Sequence, residues 1–223
     1  MNKGVQFLMK KNKIDTIEGF GKILEPGKVE VEKDGNKKTY ETENILLATG
    51  ARSKELPNLK QDGKKIIGYR KAMTLEKQPK SMLVIGSGAI GSEFANFYAT
   101  LGTKVTLVEF LPNIVPLEYE EVSKQLERSF KKSGMKVMTG SSVESVDTSG
   151  KKCKVTIKTK KGQEQVEADI VLSAVGVTPN TDNLGLEELG IETDKGKIKV
   201  DAFYRTSVEG IYAIGDIVDG PAL

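Results

Sequence analysis

The sequence contains no histidine and only one cysteine, Cys153. A single cysteine cannot form an internal disulfide or a dithiol redox pair, and without histidine the commonest general base and proton shuttle is missing. Metal sites of the usual Cys/His kind are excluded as well. These 223 residues therefore predict neither a catalytic residue nor a metal ligand.

Long apolar runs and a strong excess of one charge are also missing. No stretch approaches the ~20 apolar residues that a membrane span requires, and the first residues show no signal-peptide pattern. The net charge of +3 combines 34 basic with 31 acidic residues, which favours neither nucleic acid nor an anionic membrane as a partner. We expect a soluble, cytoplasmic protein with no nucleic-acid or membrane partner.

What the sequence does contain is a succession of short apolar runs, which alternate with helical patterns from Ser81 onward. Such runs are typical of strands that are covered on both faces in a parallel sheet. Helices are predicted at residues 90–101 and 118–133, each followed by a glycine that can end a helix. The predicted strands are residues 45–48, 82–85, 104–109, 135–138 and 169–174, with a further candidate at 210–214.

Two other regions show antiparallel patterns. Residues 29–42 alternate apolar and polar around the turn Asp34-Gly35-Asn36, which predicts a β-hairpin. Residues 143–146, 153–159 and 163–168 follow one another at short spacing and predict an antiparallel meander. The predicted fold class is therefore α/β, a parallel sheet with helices on its faces and an antiparallel β-meander as a crossover.

The motif that carries chemical information is Gly86-x-Gly88-x-x-Gly91, which joins a predicted strand to a predicted helix. Gly86 lets the chain turn sharply, Gly88 lets a pyrophosphate approach the backbone, and Gly91 lets the helix pack closely on the sheet. The unpaired amides and the positive dipole end of the helix would then face the phosphates. This loop, which also contains Ala89 and Ile90, predicts a Rossmann-like dinucleotide site.

Glu109 stands at the end of the next predicted strand, 18 residues after Gly91. A carboxylate at this position accepts hydrogen bonds from a ribose diol and repels a 2′-phosphate. Phe110 and Leu111 follow it, and no arginine is there to hold such a phosphate. The sequence therefore predicts NAD rather than NADP as the ligand.

Glu93 and Cys153 are each open to two interpretations. Glu93 is expected in the first turn of the helix after the glycine loop. An acidic side chain there is favoured by the helix dipole alone, but the same position also suits a contact with the ligand. Cys153 is interpreted as a small apolar filler in a strand rather than as a reactive thiol.

Three motifs follow one another along the chain: Ala48-Thr49-Gly50-Ala51, the glycine loop with Glu93 and Glu109, and Gly210-Ile-Tyr-Ala-Ile-Gly-Asp216. This ordered set resembles the pyridine-nucleotide-disulfide oxidoreductases over essentially the whole chain. Residues 79–93, 101–109 and 183–191 are similar in particular to the dihydrolipoyl dehydrogenases of that family.

The resemblance implies NAD-dependent oxidation of dihydrolipoamide, with electrons passing through a redox disulfide and FAD. It also implies a homodimer that serves the lipoyl domains of 2-oxo-acid dehydrogenase complexes. It assigns Glu93 and Gly176 to the nicotinamide end of NAD(H), and Val143 to the adenine end. The contacts with FAD would come from Thr49, Gly50, Ala51 and Asp216.

Several parts of the family pattern are not found in this sequence. The family's flavin domain begins with its own glycine fingerprint and a redox-active cysteine pair, and its interface domain supplies a histidine and a glutamate. We therefore interpret the chain as an internal piece of such an enzyme, inactive by itself. Residues 1–68 and 192–223 would be parts of the flavin domain, with little or no bound FAD, and residues 69–191 would form the NAD-binding domain. A further departure from the family pattern is Val177, which stands where many relatives have arginine.

Two alternatives stay open. A sister flavoprotein, such as a mercuric reductase, a transhydrogenase or an NADH oxidase, would share all three motifs. A non-catalytic NAD-binding module would need the glycine loop, but it would have no use for the flavin-contact motifs at residues 49–51 and at Asp216.

Overall fold

The computed structural model describes residues 2–220 of the chain. The chain forms two compact units. The central unit is the continuous segment Ser53–Thr178, and the flanking unit combines Met1–Arg52 with Pro179–Leu223.

No helix in the described part of the chain is both long and apolar enough to cross a membrane. The helices are α1 (Asn2–Lys11), α2 (Tyr69–Ala72), α3 (Ala89–Thr100), α4 (Glu120–Lys132) and the 3-10 helix Gly215–Ile217. The strands are β1 (Phe20–Glu25), β2 (Lys28–Lys33), β3 (Asn36–Glu41), β4 (Ile45–Leu47), β5 (Ala51–Ser53), β6 (Ile66–Ile67), β7 (Ser81–Ile85), β8 (Lys104–Val108), β9 (Lys136–Met138), β10 (Ser142–Asp147), β11 (Cys153–Thr159), β12 (Gly162–Ala168), β13 (Ile170–Ser173), β14 (Val177–Pro179), β15 (Thr193–Asp194), β16 (Lys197–Ile198) and β17 (Ile211–Ala213).

Five parallel strands form the sheet of the central unit, in the order β6-β13-β7-β8-β9. The register pairs Ile85 of β7 with Val108 of β8 on one side and with Ser173 of β13 on the other. These three strands therefore end at the same edge of the sheet. Strands β7 and β8 are almost entirely buried, as their apolar runs predict.

Side chains of this sheet alternate between two hydrophobic clusters, one on each face. On the helical face, Val84 and Leu107 pack with Ala95 and Tyr98 of α3 and with Phe130 of α4. On the opposite face, the intervening strand residues pack against β11. Because both faces are covered, the sheet is built of continuous apolar runs. This arrangement confirms the predicted α/β class with a parallel sheet.

The meander β10-β11-β12 covers the second face of the sheet and is antiparallel throughout. Cys153, Val155 and Ile157 alternate along β11 and are completely buried, whereas Lys154, which follows Cys153, and Lys158, which follows Ile157, are exposed. Fully burying a valine or isoleucine side chain contributes roughly 1.5–3 kcal/mol. The alternation confirms the predicted meander and the interpretation of Cys153 as an apolar filler.

Helices α3 and α4 end as the sequence predicts, before Gly102 and Gly134 respectively. Helix α4 begins at Glu120, two residues later than predicted, and its N-cap is Tyr119. Two glutamates occupy the first turn of α4 and two lysines its last turn. This distribution of charge is favourable for the helix dipole.

The flanking unit contains a three-stranded antiparallel sheet and a parallel pair of strands. The sheet β1-β2-β3 includes the predicted hairpin, whose strands β2 and β3 are joined by Asp34 and Gly35. The parallel pair consists of β4 and β17. Its buried side chains, among them Ile45, Leu47 and Ile211, form the core of this unit.

The expectation that residues 45–48 are covered on both faces is wrong. Ile45 and Leu47 are buried, but Leu46 between them is 59% exposed. Side chains of a strand alternate between its two faces, and here only the face that carries Ile45 and Leu47 packs on the core of the flanking unit.

The limits of the two units lie earlier in the chain than the expected domain limits. Strand β6 joins the central sheet by pairing with β13, so residues 53–68 belong to the central unit. Leu184, Leu186 and Ile191 pack in the core of the flanking unit, to which residues 179–191 belong. The packing of short apolar segments thus sets these limits.

We expect Gly91→Ala to destabilise the central unit. A Cβ at this position would lie 1.9 Å from the carbonyl oxygen of Gly86, so α3 would have to move away from the glycine loop. Overpacking of this kind costs about 1–3 kcal/mol. Urea denaturation followed by circular dichroism should show a loss at the upper end of that range.

Gly88→Ala is the matched control. A Cβ at Gly88 would meet nothing within 4 Å, and its φ of −63° is accessible to alanine. We expect the free energy of unfolding to stay within about 1 kcal/mol of the original value. Equal losses in the two variants would contradict the close approach of α3 to the loop.

The thiol of Cys153 is expected to be unreactive in the folded chain. Burial raises the pKa of this thiol above its usual value, so the protonated form dominates near neutral pH. Labelling by Ellman's reagent near about pH 7 should therefore be much slower in the folded chain than in the chain unfolded by denaturant. Rapid labelling without denaturant would show that β11 is open to solvent instead.

Candidate dinucleotide site

The candidate site lies at the carboxyl edge of the central sheet. Parallel registers align the ends of β7, β8 and β13, which are followed by Gly86, Glu109 and Ala174. Backbone hydrogen bonds extend this alignment: the Gly86 N–H donates to Val108 O at 2.9 Å, and the Ala174 N–H donates to Ile85 O at 2.8 Å. In open α/β sheets, ligands bind in the crevice at this edge.

Gly86 and Gly91 stand where two pieces of backbone approach each other closely. Gly86 has φ +91°, and a Cβ on it would lie 2.5 Å from the carbonyl oxygen of Ala174. A Cβ on Gly91 would collide with the carbonyl group of Gly86. The sharp turn and the close helix packing that the sequence assigns to these glycines are both present.

The N-terminus of α3 follows this turn directly. Its N-cap is Gly88, which has no side chain that could cap the first-turn amides, and its first turn holds no acidic residue. Gly88 and Ala89 are exposed and Ile90 is half-buried. The amides of the first turn and the positive end of the helix dipole can therefore receive an anion.

The carboxylate of Glu109 is buried, with 7% exposure, and it accepts three hydrogen bonds. Its Oε2 accepts from the N–H of Ser87 at 2.8 Å and from the hydroxyl of Ser87 at 2.6 Å. Its Oε1 accepts from the N–H of Leu111 at 2.9 Å. A carboxylate offers about four acceptor positions, so one position on Oε1 is left for a ligand hydroxyl.

The other residues predicted at the NAD end lie on neighbouring segments. The Ser141 N–H donates to the carbonyl oxygen of Glu109 at 2.9 Å, and Val143 follows two residues later on β10, half-buried on the meander face. Gly176 is exposed and follows Ala174, which contacts the glycine turn. The structure therefore brings Glu109 into direct contact with the loop, and it places Val143 and Gly176 on adjoining segments.

The expectation that Glu93 lies in the first turn of α3 is wrong. The helix begins at Ala89, and Glu93 lies in its second turn, where the dipole effect fades. Its exposed side chain borders an apolar groove of about 470 Å³ between α2 and α3, lined mainly by Met73, Phe94 and Phe97. In the described part of the chain, neither the glycine loop nor Glu109 lines this groove.

In the flanking unit, the pairing of β4 with β17 brings two predicted FAD-contact segments to one edge. Leu47 pairs with Ala213 in parallel register, so the chain leaves both strands in the same direction. Residues 49–51 follow β4, and Asp216, which is half-buried, follows β17 in the 3-10 helix.

Asn180 holds the segment after β4 in place. The hydroxyl of Thr49 donates to the carbonyl oxygen of Asn180 at 2.7 Å, and the Asn180 side-chain amide donates to Thr49 O at 3.0 Å. The backbone N–H of Asn180 donates to the carbonyl oxygen of Gly50 at 2.9 Å. Ala51, next in sequence, is buried.

Sequence reasoning missed Ser87, Ser92 and Asn180. The hydroxyl of Ser92 donates to the carbonyl oxygen of Ser87 at 2.9 Å, which ties α3 to the loop. The position of Ser87 could have been inferred, because residues that follow adjacent parallel strands lie side by side. Asn180 is 131 residues from Thr49, and no local pattern indicates that contact.

Known proteins resemble this chain along its whole length. The family model for pyridine nucleotide-disulphide oxidoreductases matches residues 1–223. A dihydrolipoyl dehydrogenase from Rhizobium etli is 41% identical over 239 residues, which cover 100% of this chain and 50% of the relative. A mitochondrial dihydrolipoyl dehydrogenase from Arabidopsis thaliana is 43% identical, with 100% of this chain and 45% of the relative covered.

A solved structure resembles the fold as well. The crystal structure of LpdA from Mycobacterium tuberculosis matches 99% of this chain and 49% of its own, with a TM-score of 0.88 and 31% identity. The chain spans about half the length of the curated relatives it matches. The family model thus matches every residue that forms the glycine loop, the Glu109 contact and the β4–β17 edge, and the chain belongs to the pyridine nucleotide-disulphide oxidoreductase family.

Proposed function

We propose that the central unit binds NAD(H) at the carboxyl edge of its sheet. The observation that carries this proposal is the buried carboxylate of Glu109, which is hydrogen-bonded to the glycine loop. A carboxylate fixed beside a phosphate-binding loop suits a ribose diol. The family to which the chain belongs is named for pyridine nucleotides, which supports the same ligand.

Each part of this edge would hold a different part of the dinucleotide. The first-turn amides of α3 would hold the pyrophosphate, which the lack of a side chain at Gly88 allows to approach. Oε1 of Glu109 would accept a hydrogen bond from the ribose of the adenosine half. Two like charges about 4 Å apart repel by about 4 kcal/mol near a protein surface, so this carboxylate would disfavour the 2′-phosphate of NADP(H).

The remaining contacts belong to the two ends of the ligand. We assign Val143 to the adenine end, because β10 begins next to Glu109. We assign Gly176 and Glu93 to the nicotinamide end. Gly176 follows the strand beside the glycine turn, and Glu93 lies one helical turn after the first residue of α3.

The flanking unit is proposed to hold contacts for FAD at Thr49, Gly50, Ala51 and Asp216. FAD, when bound, passes electrons between NAD(H) and a disulfide. A Cβ on Gly50 would meet nothing within 4 Å, which leaves its backbone open to a ligand. However, the sequence contains one Gly-x-Gly-x-x-Gly motif, and it lies in the central unit. We therefore infer that FAD binds this chain weakly.

For the whole protein we infer NAD-dependent oxidation of dihydrolipoamide through FAD and a redox disulfide. The similarity to dihydrolipoyl dehydrogenases supports this substrate, with lipoyl domains of 2-oxo-acid dehydrogenase complexes as partners and a homodimer as the assembly. These 223 residues supply neither the disulfide nor a histidine, since Cys153 is their only cysteine. The contribution of this chain would be to bind and orient NAD(H).

We expect the chain to bind NADH more tightly than NADPH, and Glu109→Ala to remove most of that difference. A hydrogen bond to a charged group contributes about 1.5–3 kcal/mol, which corresponds to about a tenfold or greater loss of NADH affinity. NADPH affinity should stay the same or rise. Titrations of nicotinamide fluorescence measure both constants, and equal affinities in the unsubstituted chain would exclude the role given to Glu109.

Two further variants separate the parts of this site. Glu167→Ala removes an exposed carboxylate of β12 and should change neither affinity. Gly88→Ala should fold normally but lose more than about tenfold in NADH affinity, because its methyl group would occupy the space of the phosphates. A folded Gly88→Ala variant with full NADH affinity would rule out this loop as the phosphate site.

The purified chain should carry much less than one FAD per molecule. The physical reason is the lack of a second glycine loop that could hold the FAD pyrophosphate. The visible absorbance of the chain, after incubation with FAD and gel filtration, measures the bound fraction. A stoichiometric flavin band would show that the residues at the β4–β17 edge are sufficient for binding.

A further inference from the structure

Of the three donors to the Glu109 carboxylate, only the hydroxyl of Ser87 belongs to a side chain. It is therefore the one donor that a substitution can remove. The other two donors in the structure are the backbone amides of Ser87 and Leu111, which any residue except proline can supply. The glycine motif leaves the position after Gly86 unspecified. The hydrogen bond of 2.6 Å from Ser87 Oγ to Glu109 Oε2 is therefore a property of this sequence rather than of the fold.

Ser87 is held in place from several directions. Its relative exposure is 0%. Its carbonyl oxygen accepts a hydrogen bond from the hydroxyl of Ser92 at 2.9 Å and another from the N–H of Val115 at 3.0 Å. These bonds attach the residue to α3 and to the segment that follows β8. The position of the Ser87 hydroxyl is thus fixed, and the hydroxyl can orient the carboxylate of Glu109, to which it donates.

The carboxylate of a glutamate rotates easily about its last side-chain bond when nothing holds it. In this site, the amide and the hydroxyl of Ser87 together occupy Oε2, which leaves the remaining acceptor position on Oε1. Together with the hydrogen bond from the Leu111 N–H to Oε1, these bonds fix the plane of the carboxylate. The location of its negative charge is fixed as well, at the edge where the ribose is proposed to lie.

We propose that Ser87 is a positioning residue that sets the preference for NAD(H) over NADP(H) by orienting the carboxylate of Glu109. This inference rests on the proposed binding of NAD(H) at the glycine loop. Without the hydroxyl, Oε2 keeps one of its two donors and the carboxylate is held less firmly, so the ribose hydroxyl meets a less well-placed acceptor. A 2′-phosphate also meets less repulsion, because the charge can turn away from it.

The test compares Ser87→Ala with the unsubstituted 223-residue chain by fluorescence titration with NADH and NADPH. We expect NADH affinity to fall about fivefold, and NADPH affinity to change by less than about twofold, so that the preference narrows. In the Glu109→Ala background, Ser87→Ala should have no further effect on either ligand, because the group it orients is gone.

Two variants separate orientation from packing. Ser87→Cys fills nearly the same volume with a weak donor, and we expect it to behave like Ser87→Ala. Ser92→Ala removes a buried hydroxyl of α3, which donates to Ser87 O but makes no hydrogen bond to Glu109. Its effect on affinity should be the same with and without Glu109→Ala. Circular dichroism and thermal denaturation establish that each variant is folded.

The outcomes distinguish this inference from the proposed function. If the unsubstituted chain fails to bind NADH, the proposed function is overturned and this inference with it. If NADH binds and Glu109→Ala weakens it, but Ser87→Ala leaves the preference unchanged, only the role of Ser87 is overturned. Effects of Ser87→Ala and Glu109→Ala that simply add, or full NADH affinity in Ser87→Cys, would also overturn that role.

Discussion

The carboxylate of Glu109 is buried at the end of β8, and this charge constrains the whole edge of the central sheet. Removing a charged group from water is costly unless it is hydrogen-bonded. Two of its three donors belong to Ser87, which stands between Gly86 and Gly88. Any other path of the loop would cost the carboxylate two of its three donors, so the loop and the strand end stabilise each other's geometry.

The loop depends equally on the packing of α3. Gly91 lies against the carbonyl group of Gly86, and the hydroxyl of Ser92 donates to Ser87 O. The result is a site made mainly of backbone amides and one carboxylate, on parallel strands that are buried on both faces. Binding by such groups needs no side chain that titrates near neutral pH. The proposed binding of a dinucleotide therefore requires no histidine.

Much of the central unit follows from local patterns, because its strands are short, apolar and buried. The runs at β7, β8 and β13 predict these strands to within one or two residues. Strand β1 is different, because Ile23 is its one buried residue. Its extended conformation depends on antiparallel pairing with β2 rather than on burial. Helix α1 is not predicted from the sequence either. The apolar side chains of Phe7 and Leu8 are exposed, and the helix has no buried apolar face.

Local sequence patterns are enough to establish the α/β class, the glycine loop, the acidic residue after the second strand, and the lack of thiol-pair and histidine chemistry. Composition and periodicity report local preferences, and these features are local. The folded chain was needed to show that Glu109 accepts hydrogen bonds from Ser87, that Thr49 donates to Asn180, that Glu93 lies in the second turn of α3, and where the two units divide. The two hydrogen-bonded pairs join residues that are 22 and 131 positions apart, and their contacts depend on strand register and chain packing, which no short window of sequence contains.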